Sequence, residues 1–260
     1  MPKKSLARCL ILFSMNLAVD IGNTKVKAGI FNGNQLVHQA SFQRPALNEI
    51  KRLLQDFPTL KFCIVSSVIT HSKEIINLLS HKLNCIELNF NTALPIKNLY
   101  STPDTLGNDR LASAVGAYKR FPGKNSLVID VGTCLKFDFI TAQGEYLGGA
   151  ISPGLNMRFK ALNAFTDRLP LLQRDDEFES TIGRSTRESI LSGVQGGMLG
   201  EIKYAIEEYT SQYSPVQFVL TGGDWQFFEN ALKNSIFAAP SLLLEGLNEI
   251  LLFNTQKTQA

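Results

Sequence analysis

Two short segments of this 260-residue chain carry residue types that could hold a phosphate. Asp20-Ile21-Gly22-Asn23-Thr24 and Asp130-Val131-Gly132-Thr133 each put a carboxylate at the end of an apolar run, then a glycine, then a hydroxyl. Glycine lets backbone N–H groups converge on an anion, the threonine hydroxyl donates, and the carboxylate reaches a metal ion or its water. One such turn is also ordinary strand-turn-strand composition, because Asp, Gly, Asn and Thr are common turn residues. Two copies 110 residues apart are a different matter. Symmetric folding alone does not require a carboxylate at the end of both strands, so the pair predicts two halves facing each other across a nucleotide cleft. Other phosphate devices do not occur: there is no Gly-x-x-x-x-Gly-Lys-Ser/Thr and no Gly-x-Gly-x-x-Gly after a strand. Thr221-Gly222-Gly223 follows an apolar strand and offers either a backbone corner for a flat nucleobase or a plain strand-to-helix turn.

The elements that must hold these turns read as a repeat. Strands are predicted over 16–21, 26–31 and 35–42, with a turn at Asn32-Gly33-Asn34, followed by a helix after Pro45, a strand over Phe62–Val65, a helix over 71–82 and a strand over 85–88. Residues 91–106 read as a long loop, and a helix from about Asp109 to Tyr118 closes the first half. After Phe121-Pro122-Gly123-Lys124-Asn125 the order begins again: Leu127–Thr133 mirrors Leu17–Thr24, Phe137–Thr141 mirrors the second strand, Gln143-Gly144 the turn, and Tyr146–Ile151 the third strand. The remainder is an irregular stretch over 164–184, a long helix over 186–209, a strand over 216–220 and short helices near 224–232 and 241–252.

Composition excludes several classes. With 44% hydrophobic and 19% charged residues the chain can build a packed core, so disorder, collagen-like repeats and coiled coil are out. A formal net charge of +3, spread along the chain, argues against a nucleic-acid partner. Cys9, Cys63, Cys85 and Cys134 form no Cys-x-x-Cys pair and His38, His71 and His81 no ligand spacing, which argues against zinc or a disulfide framework and fits a reducing compartment, the cytoplasm. No run is long enough to span a membrane. Lys3, Lys4 and Arg8 before the apolar run Cys9–Phe13 imitate a secretion signal, but the run is short and a strand-like segment follows at once. Residues 1–15 are therefore expected to be an extension outside the fold, with one domain over 16–121 and a second over 122–260.

The residues Asp20–Lys27, Leu106-Gly107-Asn108-Asp109-Arg110, Asp130–Thr133, Gly148-Gly149-Ala150-Ile151-Ser152-Pro153-Gly154 and Gly183-Arg184-Ser185-Thr186 resemble, in order and spacing, the type III pantothenate kinases. That family belongs to the acetate and sugar kinase, chaperone ATPase and actin superfamily. The resemblance implies an α/β fold of two duplicated ribonuclease H-like (actin-like ATPase) domains, each with a mixed five-stranded sheet flanked by helices. It implies phosphorylation of pantothenate to 4'-phosphopantothenate, the first step of coenzyme A biosynthesis, using ATP with Mg2+ and a monovalent cation, K+ or NH4+. Asp20, Ile21, Gly22, Asn23, Thr24, Lys25, Val26 and Lys27 would form the ATP phosphate loop, with Asp20 near magnesium, directly or through water, and Thr133 touching ATP. Asp109 would be the proton acceptor. Tyr100, Gly107, Asn108, Asp109, Arg110 and Thr186 would hold pantothenate, Thr186 across a homodimer interface, and Asp130 would bind the monovalent cation.

Phosphoryl transfer agrees with these roles, since the protein mainly positions the hydroxyl and neutralises charge on the transferring group. Asp109 is also a reasonable helix N-cap, which is the structural alternative for it. One departure from the family stands out: Cys134-Leu135-Lys136-Phe137-Asp138 follows the second turn, where small and hydroxyl residues are usual. Lys136 either replaces part of the cation's charge or lies on the exposed side of its strand, and the exposed placement is the expectation; Cys134 is expected to be a small buried strand residue. Rival functions are a sugar or acetate kinase of the same superfamily, which would not need Gly107–Arg110, and a nucleotide-binding regulator without turnover, against which the intact carboxylates weigh. Ile190, Leu191, Val194, Met198, Leu199, Ile202 and Ile206 recur at helical spacing, and Gly193, Gly196, Gly197 and Gly200 would let a second helix approach closely, in keeping with a dimer.

Overall fold

The computed structural model describes residues 15–67, 73–232 and 236–257. Residues 1–14 of the expected extension, with Lys3, Lys4, Arg8 and Cys9, lie outside the described residues, as does the start of the second helix at His71 and Ser72. The last residue of that extension, Met15, is instead part of the fold, because it pairs with Asn32 as the first residue of the first strand. The first half runs β1 (Met15–Ile21), β2 (Lys25–Asn32), β3 (Gln35–Gln43), α1 (Leu47–Asp56), β4 (Leu60–Ser67), α2 (Lys73–Lys82), β5 (Asn84–Glu87), β6 (Lys97–Asn98) and α3 (Asn108–Arg120). The second runs β7 (Asn125–Val131), β8 (Cys134–Ile140), β9 (Glu145–Pro153), α4 (Leu155–Ala164), α5 (Thr186–Leu191), a π-helical turn (Ser192–Gly196), α6 (Gly197–Tyr213), β10 (Val216–Thr221), α7 (Trp225–Ala231), β11 (Phe237–Ala238) and α8 (Leu242–Lys257).

The sequence repeat is a repeat of strand order. The first sheet is β3-β2-β1-β4-β5, and the second, taken from β9, is β9-β8-β7-β10-β11. In each, an antiparallel meander is joined to parallel strands, the duplicated ribonuclease H-like arrangement. The second sheet has six strands where five were expected, because the two-residue β6 adds to the edge of β9 at Glu145 and Tyr146. A helix at Leu155–Ala164 and the short β11 were not assigned from sequence, and the single helix over 186–209 is instead two α-helices joined through the π-helical turn.

The chain divides into two compact units, one ending at Pro122 and including Gly144–Tyr146 and everything from Ser241, the other comprising Gly123–Gln143 and Leu147–Pro240. This differs from a plain cut before residue 122. In the first unit Leu17, Val19 and Ile21 of β1 face a cluster with Ile50, Cys63, Val65 and Leu79, while Ala18 faces another with Ala112, Val115, Leu244 and Leu247. A central strand buried on both faces needs this nearly continuous apolar sequence. The final helix α8 completes the second of these layers, which assigns it to the first unit. The second unit has its own core around Leu127, Ile129, Phe137, Phe159, Met198 and Phe228. No helix among the described residues is long and apolar enough to cross a membrane.

Helix α3 is buried from Arg110 to Ala117, and small side chains make that possible. A Cβ on Gly246 of α8 would overlap the Ala112 carbonyl, and one on Gly116 would overlap the Leu242 carbonyl. Backbone thus packs on backbone where α3 crosses α8. Asn248 fastens the same layer: it accepts from Asn16 Nδ2 at 3.0 Å and donates to the Gly33 carbonyl at 2.9 Å. Gly246→Ala is expected to force the helices apart and to lower stability by about 2 kcal/mol or more, as overpacking does. Urea denaturation checks this; a variant as stable as wild type would show that the crossing has slack.

Candidate active site

Asp20 stands at the mouth of β1, only 6% exposed, and accepts a hydrogen bond from the fully buried Ser66 hydroxyl at 3.1 Å. A buried carboxylate needs such partners, because desolvation disfavours its charge. The parallel pairing of β1 with β4 sets Asp20 opposite Ser66 and so supplies the donor. The turn that follows is closed by the Gly22 N–H donating to the Lys25 carbonyl at 3.0 Å, while Asn23, Thr24 and Lys25 are exposed. Ile21 and Val26 are 1% exposed and belong to the core, so only their backbone is available to a ligand. Arg44 donates to the Asn23 carbonyl at 3.0 Å and braces the turn from β3's end.

Gly107, not Asp109, occupies the cap position of α3, which removes the N-cap alternative. Asp109 lies within the first turn, half-buried, and its carboxylate accepts the Arg110 N–H at 2.9 Å. The helix dipole favours negative charge there. Arg110 is only 4% exposed, and its guanidinium carbon is 5.7 Å from the centre of the Tyr100 ring. Arginine is seldom buried to this degree without a role for its charge. Tyr100 packs in turn near Tyr146, with ring centroids 6.2 Å apart. Asn108 donates to the Leu88 carbonyl at 2.8 Å, tying the start of α3 to the end of β5; its amide therefore positions the helix. Tyr100, Asp109 and Arg110 form one cluster.

The second turn differs from the first in its partner. Lys136 stands directly opposite Asp130 in the β7–β8 pairing, and its Nζ is 2.7 Å from Asp130 Oδ2. The two side chains are 14% and 12% exposed. Lys136 is therefore not on an exposed side of its strand, and that expectation is corrected: opposed residues of an antiparallel pair emerge on the same face, and Asp130 already occupies the site face. In the first turn the residue opposite Asp20 is likewise a lysine, Lys27. This symmetry was not read from the sequence, because the first turn is one residue longer and hides it. Cys134 is half-buried with its sulfur 3.9 Å from Met157 Sδ, not fully buried as expected. Thr133 is exposed in the turn.

Thr186 is exposed at the first position of α5. Ser185 caps the helix by accepting the Glu188 N–H at 3.2 Å, and Glu188 reaches back to the Arg184 N–H at 2.7 Å, a reciprocal arrangement that sets the start of α5. The irregular stretch before it is held by Gln195, which binds both the N–H and the carbonyl of Asp175 at 2.9 and 3.1 Å. Arg187, 2.6 Å from Asp175, holds that carboxyl below its ordinary range by hydrogen bonding.

The corner Thr221-Gly222-Gly223 closes on Asp130. Gly222 has φ +101°, and a Cβ there would lie 2.5 Å from Asp130 Oδ1 and from the Val131 carbonyl carbon. The Asp224 N–H donates to the Val131 carbonyl at 2.9 Å and pins the corner to β7. Gly222→Ala is expected to lower stability by about 2 kcal/mol or more, from left-handed backbone strain plus the clash. Urea denaturation reads it; a change below about 0.5 kcal/mol would contradict the enclosure of Asp130.

Comparisons with known proteins bear on what these residues do. A family model described as type III pantothenate kinase matches residues 16–208. A type III pantothenate kinase of Christiangramia forsetii is 44% identical over 94% of this chain and 100% of its own length. One of Phocaeicola vulgatus is 45% identical over 92% of this chain and 99% of its own. Among solved structures, a Campylobacter jejuni protein described as a Baf family transcriptional activator superposes with a TM-score of 0.62 at 22% identity, covering 92% of this chain and 99% of that one. A Listeria monocytogenes protein described as an N-acetylmannosamine kinase gives a TM-score of 0.53 at 13% identity, covering 93% and 99%. At those identities the structural likenesses show the fold alone.

Proposed function

The chain belongs to the type III pantothenate kinases, and from that premise we propose which of its residues carry the reaction. The enzyme phosphorylates pantothenate with ATP and a divalent metal ion in coenzyme A biosynthesis. The rival sugar kinase and regulator readings fall with that membership. The observation that carries the proposed roles is Asp109 in the first turn of α3 beside the buried Arg110.

In this proposal the Asp109 carboxylate orients the pantothenate hydroxyl and takes its proton as the oxygen bonds to the γ-phosphorus of ATP. The bond from that phosphorus to the β,γ-bridging oxygen breaks, releasing ADP. Arg110, held against Tyr100, pairs with the substrate carboxylate or with the transferring phosphoryl group. The backbone of Ile21–Val26 and the side chains of Asn23, Thr24, Lys25 and Lys27 hold the ATP phosphates, with the Thr133 hydroxyl also on the nucleotide. Asp20 fits a divalent site: its carboxylate stands at the strand end beside the turn and is held there by a neutral donor, the Ser66 hydroxyl. Magnesium is commonly bound by one or two carboxylates plus substrate phosphates, so no ready-made cage is needed. When bound, the ion neutralises charge on the phosphates. Thr186, exposed at the start of α5, completes the pantothenate site from a second subunit.

The dimer is supported by four glycines. Gly193, Gly196, Gly197 and Gly200 each face open space, although glycine in an exposed helix costs roughly 1 kcal/mol relative to alanine. Close approach of another helix accounts for them. Cytoplasmic location is supported by Cys63 and Cys85, which are register partners on β4 and β5 and remain free thiols.

Two experiments test these roles. Asp109→Asn should lower kcat by roughly 100- to 10,000-fold, with KM for pantothenate changed much less. A steady-state assay of phosphopantothenate formation reads this, and a kcat within about twofold of wild type would remove Asp109 from the chemistry. Sedimentation equilibrium should show a wild-type dimer that Gly197→Leu weakens at least about tenfold. If that helix face is bare, association will not change.

A further inference from the structure

The family resemblance assigns Asp130 to a K+ or NH4+ ion, and the surroundings of Asp130 do not fit that assignment. Its Oδ2 already carries the Lys136 ammonium at 2.7 Å. Its Oδ1 faces the glycine corner, where a Cβ on Gly132 would come within 3.1 Å and one on Gly222 within 2.5 Å. One oxygen is thus on a cation, and the other has the Gly132 and Gly222 backbone close on two sides. A second cation on this carboxylate would meet the repulsion of the first at close range, in a place where water screens poorly.

The contact follows from register and is not the chance reach of a long side chain. Asp130 and Lys136 are directly opposed on β7 and β8, and both are largely buried. In the other hairpin the opposed residues are Asp20 and Lys27, and the Ser66 hydroxyl donates to Asp20. A lysine side chain ends in a compact monovalent ammonium, chemically an alkylated NH4+, and its tether keeps it at the carboxylate whatever the salt.

We propose that Lys136 Nζ is a built-in monovalent cation, standing at Asp130 in place of K+ or NH4+, so that this kinase works without either. The inference rests on the reaction assigned above but concerns a different residue and a different dependence. The full-length protein is freed of potassium and ammonium, and phosphopantothenate formation is followed with Mg-ATP across a KCl series balanced by choline chloride. Wild type should keep its rate within about twofold across the series. Lys136→Thr should fall at least about tenfold in choline, as expected when a buried charge loses its partner, and should recover with KCl or NH4Cl. Melting temperature gives a readout apart from activity: KCl should stabilise Lys136→Thr over choline chloride and leave wild type unmoved. A wild-type rate that rises more than about twofold with KCl, or a potassium-specific rise in the wild-type melting temperature, overturns the proposal even if Lys136→Thr does not fold. Absence of product in every salt would instead refute the reaction assignment, and the melting comparison would still decide the cation.

Discussion

A carboxylate at the end of a buried strand loses most of its hydration, and this molecule does so twice. Asp20 and Asp130 are 6% and 9% exposed. Each must recover the lost solvation from the protein, and the two do so with different chemistry. Asp20 receives a neutral hydroxyl from Ser66, which supports its charge without cancelling it. Asp130 receives a full positive charge from Lys136. Corresponding turns of the two units thus differ in a partner of the carboxylate, a hydroxyl at Asp20 and an ammonium at Asp130.

Much of the surrounding structure serves to keep these groups in place. The apolar residues of β1 bury it on both faces and deliver Asp20 to the strand end. In the same unit, α3 owes its position to the glycine crossing with α8 and to the Asn108 amide on Leu88, and so its first turn presents Asp109 and Arg110 in a set geometry. The chain's last helix thus positions a residue far earlier in sequence. In the second unit the Gly222 corner, tied by Asp224 to Val131, closes over Asp130.

Sequence reading reached the features with a local signature. The succession of strands along the chain follows from short apolar runs and turn residues, and the repeat from two Asp-x-Gly turns, because both are written in neighbouring residues. What it missed depends on partners distant in sequence. Lys136 could be placed on the site face only from the antiparallel register that opposes it to Asp130. The matching Lys27 was hidden by the extra residue of the first turn. Helix α4 has no strong apolar stripe to announce it; Leu155 and Phe159 are its buried residues. The two-residue strands β6 and β11 are too short for any periodicity, and α8 joins the first unit through packing alone.

Anomalous diffraction from crystals soaked with nucleotide, Mn2+ and Tl+ tests the unequal electrical roles most directly, since thallous ion reports potassium sites. The expected map has a manganese peak beside Asp20 and no thallium at Asp130, where Lys136 Nζ remains on the carboxylate. A thallium peak on Asp130, with Lys136 turned away, would contradict it.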